Sequence, residues 1–298
     1  MCNQRQTRTT SLIASLVIFS LFALTLLGSK TALAQLGSVP IFGQASNEGP
    51  VSISAEDGIE WDRDNRVYRA RGNAQATQGS FFVIANQIEA FYRDGTDNGN
   101  KIWKVIAKGD VFAKSEDDEV YGDQAIYLID DEHLILTGSN IILNSSRGRL
   151  TANEKIEYKS KEKVAIATGD AIVIQNKNRV MADKLTAHMN KDAANDGKQQ
   201  ITFIEAEGDV RISSGQGFAQ AEQADYDVIK EYATLAGNVR LTQGQNQLNG
   251  KYAEVDMKKG TSRLLANKPG TQSTSGKKNR VYILLDPNST DAPVINSQ

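Results

Sequence analysis

"LAGNVRLTQ", residues 235–243, alternates in character after its glycine: Val239 and Leu241 point to one side, Arg240 and Thr242 to the other. Period two is the mark of a half-buried β-strand. The phrase returns at Gly72 ("ARGNAQA"), Gly109 ("AKGDVFA"), Gly138 ("LTGSNIIL"), Gly169 ("ATGDAIV") and Gly208 ("AEGDVRI"), so that Gly237 opens the sixth copy. Self-similarity at a near-constant period identifies a stacked repeat architecture.

A second phrase answers each glycine about thirteen residues later: "VIANQIEA" (83–90), "VYGDQAIY" (120–127), "LTANEKIEY" (150–158), "VMADKLTA" (180–187), "AQAEQADY" (219–226) and "LNGKYAEV" (248–255). A half-copy, "SAEDGIEW" (54–61), precedes the first glycine, and the third copy carries one extra residue on each side of its turn, as bulges require. The glycines are spaced by 37, 29, 31, 39 and 29 residues. The excess in the long units falls at "YRDGTDNGNK" (92–101) and "NKDAANDGKQQ" (190–200), whose Asp, Asn and Gly content reads as loop.

Each unit divides into three strand-length runs: one after the glycine, one in the answering phrase and one leading to the next glycine. Parity along them assigns an apolar face that includes Val111, Val173, Val210, Ile212 and Leu241 from the first run. From the second run it takes Val83, Ile88, Val120, Tyr127, Ile156, Tyr158, Val180, Leu185 and Tyr226, with a one-residue parity slip at the Ala or Gly. The opposite face carries residues such as Lys108, Glu205, Asp227, Arg240 and Thr242. The predicted fold is all-β: an elongated, repetitive antiparallel structure of two facing sheets around an apolar groove. Roughly twenty strands in two layers at about 4.8 Å each predict a stack on the order of 45 Å long. Alanine is frequent on the inward face, which leaves either a close approach of the sheets or an open groove. Tyr127, Tyr158 and Tyr226 end the second run, where their rings would line the groove with the hydroxyls in water.

The ends of the chain differ from this body. Residues 1–34 have the grammar of an export leader: Arg5 and Arg8 without acids, an apolar core over 11–28, and Ala32-Leu33-Ala34 as the cleavage site, with an uncleaved anchor as the alternative. The single cysteine, Cys2, lies within the leader, so the exported chain holds no thiol for disulfides, metal or nucleophilic catalysis. Removing Arg5, Arg8 and Lys30 leaves 31 basic against 36 acidic residues, a balance that argues against nucleic acid as partner. The five prolines, Pro40, Pro50, Pro269, Pro287 and Pro293, spare residues 51–268, as a continuous sheet demands. The expected organisation is therefore a leader (1–34), a flexible segment (35–50), six repeats and a half (51–267), and a largely disordered tail (268–298) in which "RVYILLD" (280–286) offers one more strand.

No catalytic, cofactor or metal site is predicted. His133, read as solvated at a turn, and His188 belong to no spaced motif. The acidic run 115–119 lacks the alternation of a calcium loop and reads as a hairpin turn. Asp110, Asp170 and Asp209, with Asn73 and Asn238, recur where strands begin and read as turn formers. Arg147, Arg149, Lys277, Lys278 and Arg280 are exposed cations, with lipid phosphate as the sharper alternative.

The export leader, the repeated "GN/D-V-x-L" strands and the answering "A/G-x-x-A-x-Y" strands resemble the OstA-like family over about residues 51–267. The resemblance implies an open β-jellyroll in the periplasm that shields the acyl chains of lipopolysaccharide and bridges inner-membrane LptC-like and outer-membrane LptD-like proteins by head-to-tail association. It implies no enzyme activity and no cofactor. An LptC-like membrane-anchored component, a glycan-cleaving β-solenoid and a purely structural β-repeat protein are the alternatives.

Overall fold

A computed structural model describes residues 51–78, 80–94, 100–115, 118–145, 148–191, 199–214, 217–270 and 280–284. The predicted leader and the segment 35–50 lie outside the described residues. The architecture is all-β and antiparallel throughout, as the repeats require.

The opening stretch shows how the strands are built. It belongs to β15 (Tyr232–Gln243), which pairs with β14 (Gly217–Asp227) on one side and β16 (Asn246–Asp256) on the other. Gly237 and Asn238 sit in the middle of this strand, not at its start, with φ of 76° and 47°. Between the registered pairs Ala236↔Tyr252 and Val239↔Gly250 these two residues oppose Lys251 only. Two residues against one is a β-bulge, and its left-handed backbone bends the strand. The third run of one unit and the first run of the next are therefore a single kinked strand. The same bulge interrupts β3 (Val67–Gln78), β5 (Asn100–Ser115), β11 (Val164–Gln175) and β13 (Gln199–Ser214), each at its Gly-Asn or Gly-Asp pair. Asn73, Asp110, Asp170 and Asp209 thus shape kinks inside strands and not the turns expected of them; Asn86 donates to Asp110 at 3.0 Å and Asn153 to Asp170 at 3.2 Å across neighbouring strands.

Every long strand has two arms, and like arms pair into two layers. The first layer contains Leu235 and Ala253, the second Val239, Leu241 and Leu248. The answering strands β4 (Phe81–Asp94), β6 (Asp118–Leu128), β12 (Asn178–Lys191), β14 and β16 change parity at the kink, as the sequence predicts: buried Val83 and Ala85 give way to Ile88 and Ala90. In the third copy the kink becomes a break, giving β7 (His133–Thr137) with β8 (Ile141–Ser145) and β9 (Gly148–Ala152) with β10 (Lys155–Lys159). The ends are split in the same way, into β1 (Ser52–Ser54) with β2 (Gly58–Asp62) and β17 (Thr261–Leu265) with β18 (Tyr282–Leu284) from the tail.

Among the described residues the 18 strands thus make fourteen rungs, each contributing to both layers. At about 4.8 Å per rung the stack is about 62 Å long, not 45 Å, because a kinked strand counts once in each layer. The inserts at 92–101 and 190–200 fall partly in lengthened strands, since β4 runs to Asp94, β5 starts at Asn100, β12 runs to Lys191 and β13 starts at Gln199; the loops expected at 95–99 and 192–198 lie outside the described residues.

Candidate functional site: the interior trough

The strands of each layer bond only edge to edge, yet their inward side chains are buried, so each layer must cover the other. Of the fourteen residues assigned to the groove by parity, twelve are under 9% exposed: Val83, Ile88, Val111, Val120, Ile156, Tyr158, Val180, Leu185, Val210, Ile212, Tyr226 and Leu241. Tyr127 and Val173 are partly buried and pack against the same core. The small residues gather along the fold line, with Ala167 and Ala171 astride Gly169, Ala221 and Ala224 on β14, and Gly250 and Ala253 on β16. There a larger side chain is met by a small one: Val210 by Ala221, Val239 by Gly250 and Leu235 by Ala253. Larger side chains such as Ile204, Ile212, Tyr226 and Leu248 lie farther out along the arms.

The tyrosines depart from expectation. Tyr158 and Tyr226 are 5% and 4% exposed, so they pack as core side chains and present little surface to water. Burial, with Glu231 and Asp227 nearby, pushes the Tyr226 hydroxyl up to about 12, and burial likewise raises Tyr127. His133 also differs: it begins β7, partly buried, with Nε2 3.4 Å from Glu157. His188 Nε2 lies 2.8 Å from Glu205. Among the described residues no group of three His, Cys, Asp or Glu is placed to hold a metal ion.

The apolar band runs from end to end. Its two core clusters meet at Ala125. At the first rung, Ile59 and Trp61 face the same way as Ala70 and Tyr68 opposite them, and both are about half exposed, with no further strand beyond them among the described residues. Trp61 stacks on Tyr68 at 5.6 Å and donates its indole N–H to the Tyr92 hydroxyl at 2.8 Å. At the last rung Ile283 stands opposite inward Leu248 and is 45% exposed. These end residues were not among the groove positions read from sequence, although the parity of "SAEDGIEW" and of the tail run already pointed to them.

An ionic clasp fastens the first rung. Asp62 accepts the Asn65 backbone N–H at 2.9 Å, the Asn65 amide at 2.7 Å and Arg69 Nη1 at 2.7 Å. These bonds, Asn65 foremost, hold its carboxyl well below the usual carboxylate range. Arg69 also reaches Glu89, 3.4 Å away; burial pushes the Glu89 carboxyl up, but Lys108 and Arg69 outweigh it and hold it low. A depressed folded-state pKa stabilises above the ordinary carboxylate range, and that contribution is lost as pH falls through the range toward the folded value. An NMR titration should show the Asp62 carboxyl ionised after the exposed carboxyls are protonated. Asp62→Asn should speed amide exchange in β2 near neutral pH, with the difference vanishing in strong acid.

The model of the family described as LptA/(LptD N-terminal domain) LPS transport protein matches the chain twice, at residues 52–164 and 149–261. The chain belongs to this family, and its role lies in lipopolysaccharide transport. No curated protein sequence matches it. Among solved structures, it is similar to LptH, the LptA-homologous periplasmic component of the lipopolysaccharide transport device of Pseudomonas aeruginosa, at 18% identity and a TM-score of 0.39, over 47% of this chain and 95% of that one.

The two family matches divide the six glycine phrases into three and three, Gly72, Gly109 and Gly138 against Gly169, Gly208 and Gly237. Their overlap, 149–164, covers β9 and β10. There β10 pairs with β7 and β11 while β9 pairs with β8 and β11, so one family unit passes into the next by uninterrupted antiparallel pairing.

Proposed function

We propose that the chain is a periplasmic lipopolysaccharide carrier whose trough shields the acyl chains while the sugar-phosphate head stays in water. The observation that carries this reading is the unbroken inward apolar band over fourteen rungs, still uncovered at Ile59 and Trp61 at one end and Ile283 at the other. Each methylene that enters it gains about 0.8 kcal/mol. Near-identical rungs give similar affinity at every step, so a lipid can advance without meeting one deep trap. The lining residues serve in the resting state as core, and loading requires the layers to part.

The same reading gives the ends a role. Terminal strands with unpaired edges accept further strands, and the joint at β9–β10 is an internal template for such a contact. Head-to-tail copies, or LptC-like and LptD-like proteins at the two membranes, would extend the trough in this way. β18 makes only three residue pairs with β16, and all three of its side chains are exposed. Removing residues 271–298 is therefore expected to uncover the β16 edge and raise self-association in sedimentation velocity, and Trp61→Glu at the opposite end is expected to reverse it.

Carriage itself is tested by adding purified lipopolysaccharide to the chain from Gln35 onward. At a hundredfold excess over Kd, binding to the folded state adds about 2.7 kcal/mol, which raises the unfolding midpoint by about 5–10 °C for a body of this size. A structural repeat protein shows no shift and retains no lipid by mass.

A further inference from the structure

The outward faces of the two layers are unlike. On the first layer cations stand beside acids: Lys108 with Glu89 at 2.8 Å, Lys155 with Glu157 at 2.8 Å, Lys184 with Glu207 at 3.0 Å. The second layer keeps one such pair, Lys114 with Glu119 at 3.0 Å, and otherwise departs from this pattern. In register across its strands, Ile84 is opposite Phe112, Phe112 opposite Tyr121, and Tyr121 opposite Ile142. Beyond Thr151 the row resumes with Ile172 opposite Met181. The rings of Phe112 and Tyr121 lie 5.0 Å apart. A sheet with one face in the core ordinarily presents polar residues on the other, so an outward row of large apolar side chains marks an interaction surface.

Cations complete the surface. Arg149, Arg179, Arg211 and Arg240 all point outward from the second layer between β9 and β15; the outward positions of its arms from β9 to β16 carry no acid, and the exposed acids Asp170, Asp183, Asp209 and Glu222 are confined to the kinks at their border. Arg149 and Arg179 have no carboxylate partner among the described residues, Arg211 pairs with Asp209 at its own bulge, and Arg240 donates to Asn249 at 3.4 Å. This is a local reversal on a chain of formal net charge -2. Short Ser213, standing between Arg179 and Phe218, leaves a hollow of about 400 Å³ that Met181, Arg211 and Gln220 also line. Ile174 and Phe218, 40% and 37% exposed, rise beside it.

We propose that the outward face of the second layer docks on an anionic lipid bilayer, with the arginines meeting head-group phosphates and Phe218, Ile174 and Tyr121 entering the boundary between head groups and acyl chains. The cations are dispersed singly from β9 to β15 among apolar side chains, along a stripe on the order of 25 Å at the strand spacing. Such an arrangement complements a plane of repeated anionic groups over an apolar layer, and a compact acidic protein knob would engage only part of it. The inference does not rest on lipid carriage in the trough: lipopolysaccharide failing to stabilise the protein would leave it standing.

The test is co-sedimentation of the chain from Gln35 onward with vesicles of phosphatidylcholine, and with vesicles containing equal parts phosphatidylglycerol. The protein is expected to partition to the anionic vesicles, with partitioning falling as salt is raised. Each arginine near a charged surface contributes about a fivefold change in partition, so Arg179→Gln with Arg211→Gln should reduce it about 25-fold, and Phe218→Ser should reduce it further. Lys155→Gln with Lys184→Gln, the same charge change on the outward face of the first layer, should leave it within about twofold. Equal partition to both vesicle types, no partition to either, or the two double variants behaving alike would overturn the proposal, and an acidic protein would then be the occupant to seek.

Discussion

Gly169→Val is expected to destabilise the protein by about 4 kcal/mol, combining backbone strain with overpacking, and to lower its unfolding midpoint by about 10 °C. Gly169 has φ of 88°, and a Cβ there would lie 2.5 Å from Glu154 Cγ and 2.8 Å from the Glu154 backbone nitrogen. A β-branched side chain in that region is strained before it meets anything, and backbone atoms do not swing aside. Because Glu154 lies between β9 and β10, the damage falls on the rung where the two family units join. Gly244 is the control. It also has positive φ, 56°, but sits in the turn between β15 and β16, where an added methyl group would meet nothing within 4 Å, so Gly244→Ala should cost about 1 kcal/mol. Equal losses at the two sites, by thermal or urea denaturation, would mean that the kink does not depend on close packing of its glycine.

Val210→Asp should be more damaging still. Val210 is 0% exposed, sits beside the kink of β13 and pairs with Ala221. A carboxylate there has neither water nor a cation, a penalty of several kcal/mol. Val210→Ala removes volume without adding charge and should cost about 2 kcal/mol. The two variants differ in pH response. Burial raises the folded-state pKa of the new carboxyl, so the extra loss is full near neutrality and is relieved as pH falls toward the ordinary carboxylate range. Urea denaturation near pH 7 and near pH 4 checks this: the gap between the variants should narrow in acid, and a constant gap would place position 210 in contact with water.

How far the sequence went is clearest at the kinks. Alternation survives the glycine in β15, where Leu235, Val239 and Leu241 all face inward, so the inward set could be read correctly even while the strand was cut in the wrong place. A Gly-Asn pair suits a turn and a bulge equally well, and local chemistry does not separate them. The unbroken parity on both sides was the available signal. Side-chain depth was not legible, because parity says which way Tyr226 points but not whether its hydroxyl reaches water. The polar examples Arg240 and Thr242 also stood for the whole outward face, whereas Ile84, Phe112 and Tyr121, on the same outward parity, are apolar. The doubled family unit lay in plain sight in the glycine spacings, since 37 and 29 return as 39 and 29 with 31 between them. An average period near thirty conceals that pairing.

The central claim is that lipid travels between the two layers. Its most direct test is photo-crosslinking with lipopolysaccharide from Val173, Val210 and Tyr226, which face inward, and from Lys184, which faces out of the first layer. The account predicts lipid adducts at the three inward positions and none at Lys184. Adducts at Lys184 as strong as those inside, or none at any position, would contradict it.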